Sequence, residues 1–146
     1  MPRGLSAQLA APPAEPVWLQ TTTQSEAAVL RRAVAYIAAN AHRPIGIADI
    51  AAACNRGPRA LQMAFRHAAG TTPWTYVRSV RLERARQDLL AADPRQETVL
   101  AVAVRWGFTN RSRFSSQYRD VYGESPGVTL RTSPALDELS DEQLTG

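Results

Sequence analysis

Lysine is absent from this 146-residue chain, which has one cysteine and two histidines. Since Cys54 stands alone, it has no intrachain disulfide partner, and the cysteine pairs of a zinc finger are missing. His42 and His67 each lie beside an arginine at positions that we expect to be exposed, and neither has the surroundings of a general base. We therefore expect no enzyme, no catalytic residue, no metal and no cofactor, and interpret Cys54 as a small buried filler rather than a nucleophile.

Long apolar runs are also missing. No segment approaches the roughly 20 apolar residues of a membrane-spanning helix, and the N-terminus leads into a proline-broken stretch rather than a signal peptide. We therefore expect a cytoplasmic protein with no membrane partner. The three tryptophans raise the alternative of ligand stacking, but we expect Trp74 and Trp106 to pack in the core and Trp18 to be an exposed or docking residue.

Positive charge is concentrated in the middle of the chain. The formal net charge is only +4, but 16 arginines and 7 acidic residues fall between Ala27 and Arg131, a net of +9, and the flanks carry −5. A compact segment with this charge favours a polyanionic partner, because neutralised phosphates release counterions. Every basic residue is arginine. This suits bidentate contacts with phosphate and guanine, and genome composition explains it equally well.

Helical periodicity and turn residues divide the chain into helices, and no strand alternation is convincing. The expected helices run from Ser25 to Asn40, Ile47 to Cys54, Pro58 to Gly70, Pro73 to about Ala92, Thr98 to Trp106, Asn110 to Tyr122 and Ser125 to Leu130. Residues 1–24 are rich in Ala and Pro and lack a period that would bury a face, so we interpret them as a flexible segment. Residues 132–146 are interpreted as a flexible acidic tail. The sequence thus predicts an all-α domain.

An internal repeat is the strongest signal in the sequence. A shift of 53 positions pairs Leu61 with Phe114, Phe65 with Tyr118, Arg66 with Arg119, Gly70 with Gly123, Pro73 with Pro126 and Arg78 with Arg131. The helix before each of these segments aligns at a shift of 52, which pairs Ile47 with Val99, Ile50 with Val102, Ala51 with Ala103 and Asn55 with Gly107. The turn in the second copy is therefore one residue longer.

Each copy has the pattern of a helix-turn-helix. A short apolar helix carries a small residue, Ala51 or Ala103, where a second helix must approach closely, and a residue able to adopt positive φ follows, Asn55 or Gly107. The next helix places two bulky apolar residues on the core side at i and i+4, which leaves the opposite face for polar contacts. An ordinary bundle of two similar hairpins is the alternative, but it does not require matching caps, turns and outward arginines in both halves.

The outward faces of the second helix in each copy carry side chains suited to reading DNA. Arginine reads guanine, glutamine reads adenine, serine contacts bases or phosphates, and an apolar side chain packs on the thymine methyl. We expect contacts with base edges or nearby phosphates from Arg59, Gln62, Met63, Arg111, Ser112 and Arg113. Closer to the phosphate backbone we place Arg66, Ser115, Ser116 and Arg119.

The helix that begins at Pro73 links the two copies. At about 1.5 Å per residue its roughly 19 residues span about 28 Å, which together with the flanking helices is comparable to the ~34 Å turn of B-DNA. The second helices of the two copies are then expected to enter consecutive major grooves. One chain thus reads an asymmetric site without dimerising. The predicted domain for double-stranded DNA covers residues 25–131, with the first copy at 25–72, the linker helix at 73–92 and the second copy at 93–131.

These residues resemble the DNA-binding domain of the AraC/XylS family of bacterial transcription regulators. The resemblance covers Ala27 to Arg131, and its most specific part is a Gly-Phe turn at Gly107, Phe114 seven positions later and the Gly-Glu-Ser-Pro sequence at 123–126. Residues 78–85 similarly resemble the linker helix of the family. The resemblance implies about seven helices in two helix-turn-helix subdomains, promoter binding and, often, activation through RNA polymerase as a second partner.

Two residues depart from the family pattern: Met63 stands where the family often has a polar or basic side chain, and Asn55 replaces a frequent glycine. Larger members also carry an N-terminal effector-binding or dimerisation domain, for which 24 residues are too short. We therefore expect a monomer, or a weak dimer that forms through a missing N-terminal domain. The alternative function is a protein-interaction module of the same fold, which binds RNA polymerase or another regulator without specific DNA reading.

Overall fold

A computed structural model describes residues 16–20 and 24–133, and every regular element in these ranges is an α-helix. The helices are α1 (Val17–Gln20), α2 (Gln24–Asn40), α3 (Ile47–Ala53), α4 (Pro58–Ala69), α5 (Pro73–Ala91), α6 (Val99–Arg105), α7 (Arg111–Tyr122) and α8 (Pro126–Arg131). The all-α prediction is confirmed, and α2 to α8 begin and end within one residue of the predicted bounds. None of the described helices is long and apolar enough to cross a membrane.

Backbone contacts group the chain into two units. The first contains the described residues up to Ala41 together with Ile45–Val77, and the second contains His42–Pro44 and the described residues from Arg78 onward. The boundary falls within α5, so the first turn of this helix belongs to the first unit and the rest to the second.

The first unit is held together by the apolar faces of α2, α3 and α4. Leu30 and Ile37 of α2, Ile50 of α3, and Leu61 and Phe65 of α4 are all at most 2% exposed. Burying a side chain of this size contributes about 1.5 to 3 kcal/mol. Because Leu61 and Phe65 lie one turn apart on α4, they fix which face of this helix is turned inward.

The interpretation of residues 1–24 as flexible is wrong for the part of this segment that the structure describes. α1 packs on the first unit: Leu19 is 1% exposed, and the ring centroid of Trp18 lies 5.8 Å from that of Phe65 and 6.2 Å from that of Tyr76. A single helical turn is too short to show a period in the sequence, but its two bulky apolar residues are enough to dock it. Trp18 is therefore a docking residue, one of the two roles expected for it. Residues 1–15 and 21–23 lie outside the described residues.

The core of the second unit is built by four helices. Its buried residues are Leu82, Ala85 and Leu89 of α5, Val99, Val102 and Ala103 of α6, Phe114 and Tyr118 of α7, and Leu130 of α8. Neighbouring rings of Phe108, Phe114, Tyr118 and Tyr122 have centroids 4.8, 5.8 and 4.7 Å apart. Tilted aromatic pairs of this kind add about 0.5 to 1.5 kcal/mol each to the burial of their area. Three of these rings, from Phe114 to Tyr122, fix the inner face of α7 over about two turns.

The expectation that Trp74 packs in the core is wrong, since the residue is 52% exposed. Pro73 and Val77, one turn apart in the same helix, are buried, so the inward face of this turn is already occupied. Trp106, in contrast, is half-buried against the core of the second unit, and its indole Nε1 donates a hydrogen bond of 2.8 Å to Asp88. The core role expected for Trp106 is confirmed.

The acidic tail was expected to begin at Thr132, and Ser133 does not fit that expectation. Its side chain is fully buried, and its hydroxyl lies 2.8 Å from the carbonyl oxygens of Leu90 and Ala92, to either of which it donates. These carbonyls are at the C-terminal end of α5, where backbone acceptors have no partner within the helix. Ser133 therefore caps α5 and extends the predicted second copy by two residues, to 133. The remainder of the predicted tail, residues 134–146, lies outside the described residues.

Candidate nucleic-acid interface

The first helix-turn-helix is formed by α3 and α4, joined by residues 54–57. Ala51 is 1% exposed at the close approach of the two helices, and Asn55 adopts φ 58°, as expected for both residues. Asparagine tolerates this left-handed conformation better than most residues, because its short side chain bonds locally. Cys54 is fully buried, and its thiol donates to the carbonyl of Val29 at 3.4 Å. Burial raises the pKa of this thiol, which keeps it protonated, so the interpretation as a buried filler is confirmed.

The second helix-turn-helix is formed by α6 and α7, joined by residues 106–110. This connection has five residues, whereas residues 54–57 number four, which confirms the predicted difference of one residue. Gly107 adopts φ 86° at the start of the turn. At its end Asn110 caps α7, since its side-chain oxygen accepts a 2.8 Å hydrogen bond from the backbone N–H of Arg113. Thr98 caps α6 in the same way through the N–H of Ala101.

The predicted reading face of α4 lies on the outside of the first unit. All four of its residues are exposed: Arg59, Gln62, Met63 and Arg66. They lie on the helix side opposite the fully buried Leu61 and Phe65. Met63 is 61% exposed, which leaves it available to pack on an apolar group of a partner.

The predicted reading face of α7 is also on the outside of its own unit, with one exception. Exposed residues on α7 are Arg111, Ser112, Arg113, Ser116 and Arg119. Ser115 is half-buried, so it presents less surface to a partner than its place on the sequence indicates. We call the exposed residues of α4 and α7 named here the two reading faces.

The arginines of the reading faces have no acidic partner within ion-pair distance among the described residues. Two other arginines of the second unit are engaged in packing or pairing. Arg105 donates 2.9 Å hydrogen bonds to both Asp88 and Glu97, and these bonds raise its pKa, with that to Glu97 the larger cause. Arg86 lies over the ring of Tyr122 at 4.6 Å. The reading faces thus carry unneutralised positive charge at the surface of their units.

A buried polar chain behind α7 was not anticipated from the sequence. Arg86 donates to the hydroxyl of Tyr118 at 3.3 Å, Tyr118 donates to Thr129 at 2.8 Å, and Thr129 donates to the carboxylate of Glu124. These hydrogen bonds connect α5, α7 and α8 at the core of the second unit. The sequence held one indication of these hydrogen bonds. The repeat pairs Phe65 with Tyr118, and the hydroxyl of a buried tyrosine, which phenylalanine lacks, requires a hydrogen-bond partner.

Tyr122 closes the same region from the outer side. Burial is the largest cause of its raised pKa, and the neighbouring carboxylate of Glu83 raises it further. The phenol is therefore neutral at ordinary pH, and its hydroxyl lies 3.5 Å from that carboxylate as a donor. With Phe114 and Tyr118, it forms the aromatic inner face of α7.

The chain contains two copies of a helix-turn-helix, each with a positive-φ residue in its turn and an exposed face on its second helix. These features define a helix-turn-helix protein of the DNA-binding type. Residues 50–132, more than half of the chain, match the family described as "Helix-turn-helix domain". A crystal structure of a probable AraC family transcriptional regulator from Rhodopseudomonas palustris is 36% identical, with a TM-score of 0.66 over 73% of this chain and 98% of that one. The chain belongs to the AraC/XylS family of transcription regulators, whose members bind DNA and are not enzymes.

Two curated relatives add to this finding. The probable thc operon regulatory protein of Rhodococcus erythropolis is 41% identical over 106 residues, which cover 73% of this chain and 32% of that protein. The XylDLEGF operon transcriptional activator of Pseudomonas putida is 35% identical over 100 residues, covering 68% of this chain and 31% of that protein. The chain therefore spans about a third of the length of these relatives.

Proposed function

We propose that this chain reads promoter DNA by inserting α4 and α7 into successive major grooves of one duplex. The observation that carries the proposal is the pair of reading faces, each an exposed, arginine-bearing face backed by fully buried apolar residues. A helix held from behind in this way loses little further entropy when its outer side chains meet a groove. The 19 residues of α5 span about 28 Å, which suits a separation of about one turn of B-DNA.

The side chains near the N-terminus of each reading helix are assigned to base edges or nearby phosphates. In α4 these are Arg59, Gln62 and Met63, for which guanine, adenine and a thymine methyl are the matching groups. In α7 they are Arg111, Ser112 and Arg113. Asn110 supports this assignment, since the cap that it provides for Arg113 N–H orders the first turn of α7.

Phosphate contacts are assigned to residues further along each helix: Arg66, Ser115, Ser116 and Arg119. Ser115 is half-buried, so we expect it to contribute least of the four. Phosphate contacts of this kind fix the register of the protein on DNA without reading sequence.

We further propose that the outcome of binding is activation through RNA polymerase. Support comes from the Pseudomonas putida relative, which is named as a transcriptional activator. A second candidate function is the protein-interaction module without specific DNA reading. It is favoured by the outer face of α6, where Leu100 and Val104, one turn apart, are 53% and 62% exposed.

A selection of genomic fragments with the purified chain separates the two functions. For specific DNA reading, we expect an asymmetric motif of two boxes about ten base pairs apart. The affinity for the recovered fragment should fall with salt at a log–log slope of about −0.9 per phosphate contact, several units in all. Absence of enrichment, together with a flat salt dependence of binding to random duplex DNA, would reject DNA reading and leave the interaction module.

A further inference from the structure

Arg81 of α5 is the one charged side chain that is buried among the described residues, with 7% of its surface exposed. Burial lowers the pKa of its guanidinium, as expected when a cation leaves water. Removing a charge from solvent is costly unless hydrogen bonds compensate for it. The position of Arg81 therefore calls for a specific role inside the second unit.

The guanidinium of Arg81 lies against the turn of the second helix-turn-helix. Its Nη1, Cζ and Nε atoms lie 3.4, 3.6 and 3.9 Å from the point where a Cβ at Gly107 would stand. Because these three atoms of the planar guanidinium lie at similar distances from that point, the flat face of the group is turned toward the glycine. Its Nη2 donates a 2.7 Å hydrogen bond to the carbonyl of Arg43, which also belongs to the second unit.

The contact lies at the start of the connection that sets the direction of α7. Gly107 turns the chain at φ 86°, Phe108 packs its ring 4.8 Å from that of Phe114, and Asn110 caps the helix. Arg111 and Arg113 follow at once. A displacement at Gly107 is therefore passed within six residues to the arginines assigned to base edges.

We propose that Arg81 is a positioning residue for specific DNA reading by α7. Its guanidinium keeps the connection at residues 106–110 in place against the core. The first helical turn of α7 therefore meets bases in one orientation. This proposal rests on the proposed DNA-reading function. The planar guanidinium is needed because it is thin enough to lie flat on a glycine while its edge donates to Arg43, which the tetrahedral ammonium of lysine does not reproduce.

Double-mutant cycles test the proposal, using the DNA fragment recovered by selection and a scrambled duplex of equal length. Arg81→Met is expected to lower affinity for the specific site about tenfold and for the scrambled duplex less than about threefold, since only correctly placed arginines discriminate bases. Arg95→Met, on an exposed arginine paired with Asp93, is the matched control for the loss of one charge. It should change both affinities equally and by less than about threefold.

The second step of the cycle asks which reading helix is affected. If Arg81 positions α7, the losses from Arg81→Met and Arg113→Ala are non-additive, because a displaced Arg113 has little left to lose. Arg59 lies on the other reading face. The fold losses of affinity from Arg81→Met and Arg59→Ala should therefore multiply in the double variant. A purely structural role predicts multiplication in both cycles and equal losses on specific and scrambled DNA, and this result would overturn the proposal.

Arg81→Lys keeps the test valid where the methionine variant does not fold, as judged by circular dichroism. It retains the charge and a donor, and is expected to fold and to lose about threefold in the ratio of specific to scrambled affinity. An unchanged ratio would refute the positioning role while the wild-type chain still reads DNA. Failure of the wild-type chain to discriminate the two duplexes would instead reject the proposed function itself.

Discussion

The arginines of the described residues differ in what surrounds them, and the difference matters more than their number. Arg105 is held by two carboxylates and Arg86 by two tyrosines, so both are used within the fold. Arg113 is exposed and belongs to a capped first turn, with its backbone bound to Asn110. An ordered backbone below an unneutralised side chain is the arrangement that lets an arginine discriminate guanine from other bases.

We expect Arg113→Ala to reduce binding to the selected site by about 1 to 3 kcal/mol and binding to scrambled DNA by much less. Fluorescence anisotropy titrations of both duplexes measure the two losses. Arg95→Ala, which removes an exposed arginine outside the reading faces, serves as the control. Equal losses on both duplexes would mean that Arg113 contacts only the backbone.

Backbone conformation at Gly107 makes a second prediction at this scale. Gly107→Ala should destabilise the fold by about 1 to 2 kcal/mol, because a Cβ is strained at φ 86°. The nearest atom to that Cβ, in Arg81, is at the ordinary contact distance of 3.4 Å, so strain rather than crowding is the cause.

Gly107→Asn is the matched variant, since Asn55 already adopts φ 58° in the first turn. Its loss, measured by urea unfolding, should be smaller than that of the alanine variant. If both variants lose the same stability, crowding against Arg81 is the cause and the strain argument fails.

At the scale of elements, α1 is an addition to the helix-turn-helix that it contacts. Trp18 meets both Phe65, on the inner face of α4, and Tyr76, in the first turn of α5. The rings of Phe65 and Tyr76 are themselves 5.9 Å apart. α1 thus contributes to the aromatic support behind the first reading helix, as the rings around Phe114 do behind the second.

Trp18→Ala should therefore lower the stability of the first unit by about 1 to 3 kcal/mol, less than the loss from a fully buried aromatic residue. Val17→Ala is the control in the same helix, because Val17 is 77% exposed and should change stability by less than about 0.5 kcal/mol. Denaturant midpoints followed by tryptophan fluorescence and by circular dichroism report the difference. A Trp18→Ala protein as stable as the Val17→Ala protein would show that α1 docking adds nothing.

Helices α2 to α8 were predictable because their ends carry local signals. Pro58 and Pro126 begin helices, Asn110 caps one, and the glycines Gly70 and Gly123 end helices in left-handed conformations. The reading faces followed from the same logic, since a buried pair at i and i+4 defines its opposite side. Signals of this kind act within four residues, so sequence reveals them directly.

Features set by distant contacts were not predictable. Docking of α1, exposure of Trp74 and burial of Ser133 each depend on which neighbour fills the adjacent space, and the neighbour is remote in sequence. The same holds for Arg81, whose contacts lie 38 residues away at Arg43 and beyond α6 at Gly107. An arginine in an amphipathic helix is expected to be solvated, and nothing in its local sequence indicates otherwise.

For the whole molecule, the proposed reading of two grooves makes the phase between the two boxes decisive. B-DNA repeats every 10 to 10.5 base pairs, so inserting about five base pairs between the boxes turns one of them to the opposite side of the duplex. One chain is then unable to use both reading faces at once, and specific affinity should fall at least about tenfold, toward that of a single box. The same five base pairs inserted outside the boxes should leave the affinity unchanged.

The Arg113→Ala variant adds a further check. Its loss of affinity should arise at one box, and the loss from Arg59→Ala should arise at the other box. Undiminished binding to the out-of-phase site would mean that a single helix-turn-helix supplies the affinity, and the reading of successive grooves would have to be given up.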